Sequence, residues 1–151
     1  MKQDILVPFD GSANATKALL VAIDMAKAFN EKIVLLNVQW SYETPHTFSQ
    51  SQIDDYLIQM GDEAMQPGKD ILEQTGVGFI TKMLVGDPRE QICKEAQEGS
   101  AEGAACKDHG MRMIVMGSRG LNAFIGSLLG SVSMEILHNA PCPVMIVPSS
   151  G

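Results

Sequence analysis

The sequence lacks positive charge. Eleven lysines and arginines stand against 18 aspartates and glutamates, giving a formal net charge of −7 and a sequence pI near 4.8. That balance argues against non-specific binding to nucleic acid or to an anionic membrane surface. A phosphate ligand would gain little from long-range attraction, so its site must be built locally. Long apolar runs are missing too. No segment approaches the roughly 18 uninterrupted residues that a membrane-spanning helix requires. No charged stretch followed by an apolar one opens the chain, so a signal peptide is not expected and the cytoplasm is the expected location. Cysteine is scarce: Cys93, Cys106 and Cys142 are an odd number without metal-ligand spacing. They read as reduced thiols serving as small hydrophobes. Internal repeats and low-complexity segments are absent.

What is present is an ordinary globular composition, 45% hydrophobic and 19% charged over 151 residues. It predicts one domain spanning 1–151 with a single sizeable core. Lys2 to Phe9 reads as a first strand, its apolar Ile5-Leu6-Val7 suited to cover on both faces and Pro8 marking its carboxyl end. Ser12 is placed to cap a helix from about Ala13 to Phe29, with Ala18, Leu19, Ala22, Ile23, Ala26 and Phe29 on one face. Lys32 to Val38 is a second buried strand. Ile53 to Gln74 has helical spacing through Ile53, Tyr56, Leu57, Met60, Ala64 and Ile71, and Pro67-Gly68 predicts a kink or break within it. Val77 to Val85 alternates enough for an outer strand. Pro88 opens a third helix, Met113 to Met116 is a fourth strand, Ser131 to His138 the last helix, and Val144 to Val147 a fifth strand. The order β-α-β-α-β-α-β-α-β indicates an α/β fold, doubly wound, with a parallel sheet covered by helices on both faces. Ligands bind such sheets at the carboxyl ends of the strands, where the strand order reverses.

Three turns at carboxyl ends carry special residues: Asp10-Gly11, Gly86-Asp87 and Gly117-Ser118-Arg119-Gly120. The last follows an apolar strand and is joined, after nine residues, by Gly130-Ser131 opening a helix. Glycine permits close backbone approach, and a fresh helix N-terminus offers free N–H donors to an anion. The pattern is neither the Walker motif nor the dinucleotide fingerprint. It reads as a phosphate cradle, or else as a tight turn and helix cap. His46, His109 and His138 form no recognisable triad with a serine or cysteine.

Met116-Gly117-Ser118-Arg119-Gly120, Gly130-Ser131-Val132-Ser133 and Ala140-Pro141-Cys142-Pro143-Val144 together resemble the universal stress protein family. Ile5 to Ser12 and Val85-Gly86-Asp87-Pro88 are similar to the family's first and third turns, so the resemblance covers nearly the whole chain. It implies a five-stranded parallel sheet in the order 3-2-1-4-5, a homodimer, and, from the ATP-binding branch, a site for ATP or for AMP or ADP. Gly117 and Gly120 would sit against ribose and phosphate, and Gly130, Ser131 and Val132 would offer donors to the phosphates. Asp10 would make a polar contact, Val38 would meet the adenine edge, and Gly86 would lie beside the base. The expected binding set is thus Pro8, Asp10, Val38, Gly86, Met116, Gly117, Ser118, Arg119, Gly120, Gly130, Ser131 and Val132, with no catalytic residue and no protein metal ligand.

Two departures stand out. The stretch from Asp87 to Met113 is longer than the family's usual spacing, with the extra material expected within Glu98 to Asp108. Leu121 to Leu129 contains no lysine or arginine, which leaves Arg119 as the motif's positive charge. A triphosphate would then rely on backbone donors and Mg²⁺. The apolar last strand, at a predicted sheet edge, invites pairing with a second copy through 144–147. The functional expectation is a nucleotide-dependent stress-response or signalling protein, the ligand ordering the loop from Gly117 to Gly130 for an unknown protein partner. The rivals are a slow ATPase on the same fold and a nucleotide-free interaction protein.

Overall fold

The computed structural model describes residues 3–40, 50–98, 111–118 and 130–149. Along the chain these form β1 (Asp4–Pro8), α1 (Ala13–Phe29), β2 (Ile33–Gln39), α2 (Gln50–Thr75), β3 (Phe79–Val85), α3 (Pro88–Glu98), β4 (Met111–Gly117), α4 (Ser131–Asn139) and β5 (Val144–Val147). The five strands make one parallel sheet ordered β3-β2-β1-β4-β5. The order turns back between β1 and β4, the central pair. Val77 and Gly78 lie before β3, which occupies an outer position as its partial alternation predicted.

The sheet separates two apolar layers, because successive strand residues point to opposite faces. Ile5 and Val7 join Ile33, Leu35 and Val115 under α1 and α2, while Leu6, Val34, Leu36 and Ile114 pack under α3 and α4. The six buried residues of α1 are Ala15, Ala18, Leu19, Ala22, Ile23 and Ala26. Phe29 is not among them. It lies 41% exposed and carries the guanidinium of Arg112 over its ring, 4.2 Å from the centroid. Arg112 itself explains why the fourth strand begins two residues before its apolar run. The β1–β4 register slips between Asp4–Met111 and Ile5–Met113. The extra residue, Arg112, forks onto the buried Glu31 at 2.6 and 2.7 Å.

Helix α2 runs unbroken through Pro67. Pro67 lies on the exposed side, where a carbonyl freed by the missing N–H can be hydrated. The buried side is Gly61, Met65, Gly68 and Leu72, displaced from the stripe that includes Tyr56 and Met60, both exposed. The two glycines let the helix axis approach the sheet. A Cβ on Gly68 would stand 3.0 Å from Leu35 Cδ2 and 3.1 Å from Phe9 Cε1. Apolar spacing alone misplaced the face because glycine contributes no side chain to the pattern.

Helix α1 begins as its sequence predicts. Ser12 Oγ accepts from the N–H of Ala15 at 3.1 Å and is buried. Ser12→Ala should lower stability by about 1 kcal/mol in urea denaturation; no measurable loss would mean the cap contributes nothing.

Candidate functional site

Three strand ends, three helix beginnings and one cavity meet at the point where the strand order reverses. The cavity measures about 170 Å³. Pro8, Phe9 and Asp10 line it from the end of β1, Leu36, Asn37 and Val38 from β2, and Met116 and Gly117 from β4. Ala15 closes it from α1, Pro88 and Ile92 from α3, Val132 and Ser133 from α4. Of the residues expected to bind a ligand, the fold therefore gathers Pro8, Asp10, Val38, Met116, Gly117 and Val132 around one space. Gly86, Ser118, Gly130 and Ser131 stand outside that lining. Arg119 and Gly120 lie outside the described residues, as do His46, Cys106, His109, the expected insertion beyond Glu98 and residues 121–129 of the loop expected to respond to ligand.

The polar frame is fixed by backbone contacts. Asp10 Oδ1 accepts from the N–H of Ser12 at 2.9 Å, so the aspartate shapes the turn into α1. Gly11 follows with φ +84, and a Cβ there would stand 3.1 Å from the carbonyl of Ala64. Both conditions require glycine. The N–H of Gly130 donates to the carbonyl of Ser118 at 2.8 Å, and the N–H of Ser118 donates to Val147 at 3.1 Å. Gly117 is tight for a reason internal to the fold: its Cβ would meet the backbone of Asn14 at 3.1 Å.

Seven lining residues were not in the expected set, and two of them, Asn37 and Ser133, are polar. Asn37 is buried, donates from Nδ2 to the carbonyl of Phe9 at 2.9 Å, and accepts from Gln39 Nε2 at 2.7 Å. It ties the end of β2 to the end of β1, and its signal was a lone amide in an apolar strand. Ser133 is buried and its hydroxyl is shared between the carbonyls of Gly117 and Ser118, at 3.0 and 3.2 Å. It locks the start of α4 to the end of β4, and its position inside the glycine-serine motif was its signal.

The helix beginnings differ electrostatically. Ser12 occupies a donor of α1. Asp87 occupies a donor of α3, its Oδ1 accepting from the N–H of Arg89 at 2.9 Å, and Glu90 adds charge in the same turn. Helix α4 begins at Gly130, which has no side chain to cap it, and its first turn brings Val132 and Ser133 into the cavity lining. Its leading N–H groups suit an anion.

Beside the cavity, the side-chain hydrogen bonds from Arg89 hold the Asp87 carboxyl below its ordinary 3.8, against the opposing effect of burial. A carboxyl whose folded value is depressed stabilises the fold above its unfolded value and loses that contribution as pH falls through the folded one. An NMR titration should place the Asp87 midpoint below 3.8, and Arg89→Met should move it upward. A midpoint unmoved by that substitution would remove Arg89 as the cause. Cys93 is half-buried against the α3–α4 layer, and burial, then the charge of Glu135, raises its thiol value. At neutral pH it is a thiol, consistent with a packing role.

Among the described residues no helix is long and apolar enough to cross a membrane. The Universal stress protein family matches residues 1–148. A universal stress protein of Methanocaldococcus jannaschii is 33% identical over 146 residues, covering 95% of this chain and 80% of its own. Among solved structures, hypothetical protein MJ0577 superposes with a TM-score of 0.78 at 29% identity, over 100% of this chain and 99% of its own. A universal stress family protein of Arabidopsis thaliana with AMP bound has the same fold, with a TM-score of 0.67 at 22% identity over 99% and 93% of the two chains. The motif, the strand order and the match along the length agree: the chain belongs to the universal stress protein family.

Proposed function

We propose that the cavity at the β1–β4 reversal is one end of an adenine-nucleotide site, and that the chain acts as a nucleotide-dependent signalling protein. The observation that carries this reading is the α4 N-terminus. It opens beside the cavity without a side-chain cap, whereas α1 and α3 have theirs occupied. The phosphate belongs there, on the N–H groups of Ser131 and Val132 with the Ser131 hydroxyl, and the base belongs at the opposite end, near Val38 and Pro88. Ser118 supports the cradle from below, through its carbonyl on Gly130. The AMP-bound Arabidopsis relative makes this ligand class the first to test.

Positive charge is scarce here. Arg89 is engaged by Asp87, and Arg119 supplies the motif's only cation in sequence. Binding therefore depends on backbone donors, so AMP and ADP should bind about as well as ATP unless Mg²⁺ accompanies the triphosphate. Titration calorimetry without metal should give AMP and ATP affinities within about tenfold of one another. ATP binding much more tightly than that would place a further cation at the phosphates. Denaturing the purified protein and separating any released nucleotide by chromatography tests the ligand class directly. The same reading places the protein in the cytoplasm as one domain over 1–151. It also makes the protein a homodimer through Val144–Val147, the outer strand, whose four residues are half-buried and apolar.

A further inference from the structure

Val38 and Pro88 line the cavity, and the residues just beyond them in the chain, Trp40 and Arg89, meet each other. Trp40 follows Val38 by two residues, and in extended backbone such residues share a face. Its ring agrees with that placement: Arg89, from the first turn of α3, lies over it with Cζ 5.4 Å from the centroid. Val38 packs into the layer beneath α3. The Trp40 ring thus stands beside the first turn of α3, under Arg89, two residues along the chain from Val38, while Pro88, the neighbour of Arg89 in sequence, lines the cavity. Its placement is secured from several directions. Asp87 accepts from Arg89 Nε at 3.0 Å and Nη2 at 2.8 Å, which sets the guanidinium. The N–H of Gly86 donates to the carbonyl of Gln39 at 2.9 Å, which ties the turn before α3 to the residue before Trp40. The tryptophan remains 37% exposed. The cavity, about 170 Å³, is smaller than the roughly 300–1,000 Å³ that encloses a typical ligand. A nucleotide anchored at α4 must therefore extend past its rim.

We propose that Trp40 is the residue that recognises the base. Its ring offers a stacking platform to a planar purine, while Arg89 and Asp87 are positioning residues that fix the ring. The inference rests on the nucleotide reading above. Trp40 is the chain's single tryptophan, so its fluorescence reports on this position alone. In the full chain, AMP should change Trp40 emission along a curve that matches calorimetric binding, whereas ribose 5-phosphate should bind without that change. Trp40→Leu should weaken AMP by about tenfold, the lower end of what base stacking contributes, and leave ribose 5-phosphate unchanged; Trp40→Phe should restore most of the loss. Arg89→Met should shift the emission of the ligand-free protein and weaken AMP by about threefold. Circular dichroism checks the fold of each variant. Wild-type AMP binding without an emission change would overturn the role of Trp40 and leave the nucleotide site standing. So would a Trp40→Leu variant that loses both ligands equally. Failure of the wild type to bind AMP at all would overturn both.

Discussion

Gly130→Val should reduce AMP affinity by about a hundredfold or more while lowering stability by only about 1 kcal/mol. The two effects separate because of the local backbone. Gly130 has φ −64 and ψ 159, a region open to every residue, so valine meets no conformational penalty there. The fold loses a tolerable N-cap for a poor one, which sets the small stability term. The ligand loses much more. A branched side chain at the cap would stand over the leading N–H groups of α4, and each charge-assisted hydrogen bond denied to a phosphate is worth about 1.5–3 kcal/mol. Calorimetry with AMP and urea denaturation on the same preparation decide the matter. Unchanged affinity would put the phosphate elsewhere, and a stability loss of several kcal/mol would make Gly130 a structural residue. The dimer expected through Val144–Val147 lies on β5 and should be unaffected, which sedimentation can follow.

Ile114→Ala carries the largest expected stability effect, a loss of about 3–4 kcal/mol. Ile114 is fully buried in β4, paired with Leu6 of β1 on one side and Val144 of β5 on the other. Parallel strands on both sides hold its backbone in place, so the space vacated by the side chain cannot close. A cavity left in a layer that α3 and α4 already cover adds its own cost to the lost transfer energy. Against a total of about 5–15 kcal/mol for a domain, that is a severe change, and the midpoint of thermal unfolding should fall by roughly 10 °C. Met134→Ala, at an exposed position of α4, should stay within about 0.5 kcal/mol. Equal effects at the two positions would contradict the burial pattern.

The carboxyl-end geometry was legible in advance wherever local chemistry decides structure. Ser12 caps α1 because a serine before an apolar helix has few better uses. Asp10 and Gly11 make a turn because the carboxylate reaches the N–H two residues on and the glycine accepts a positive φ. The motif from Met116 through Ser133 announced an exposed helix N-terminus after a strand, and Val132 and Ser133 do line the cavity. Less legible was anything that depends on partners distant in sequence. Phe29 has core spacing yet serves Arg112, because the β1–β4 bulge turns that arginine toward Glu31. Asn37 looks like a defect in an apolar strand until its amide is seen on the carbonyl of Phe9.

The sequence by itself determined the alternation of strands and helices, the buried character of β1 and β2, and an acidic surface that needs a local phosphate cradle. These follow from side-chain period, capping and charge, which act over a few residues or over the whole composition. Tertiary structure decided which face of α2 meets the sheet, since Gly61 and Gly68 earn their contacts only by letting the backbone approach. It also brought Pro88, Val38 and the start of α4 to one cavity, and set Arg89 over Trp40. The ends of separate strands become neighbours only when the sheet order is fixed, and pairing across the sheet leaves no mark on the spacing of any one segment.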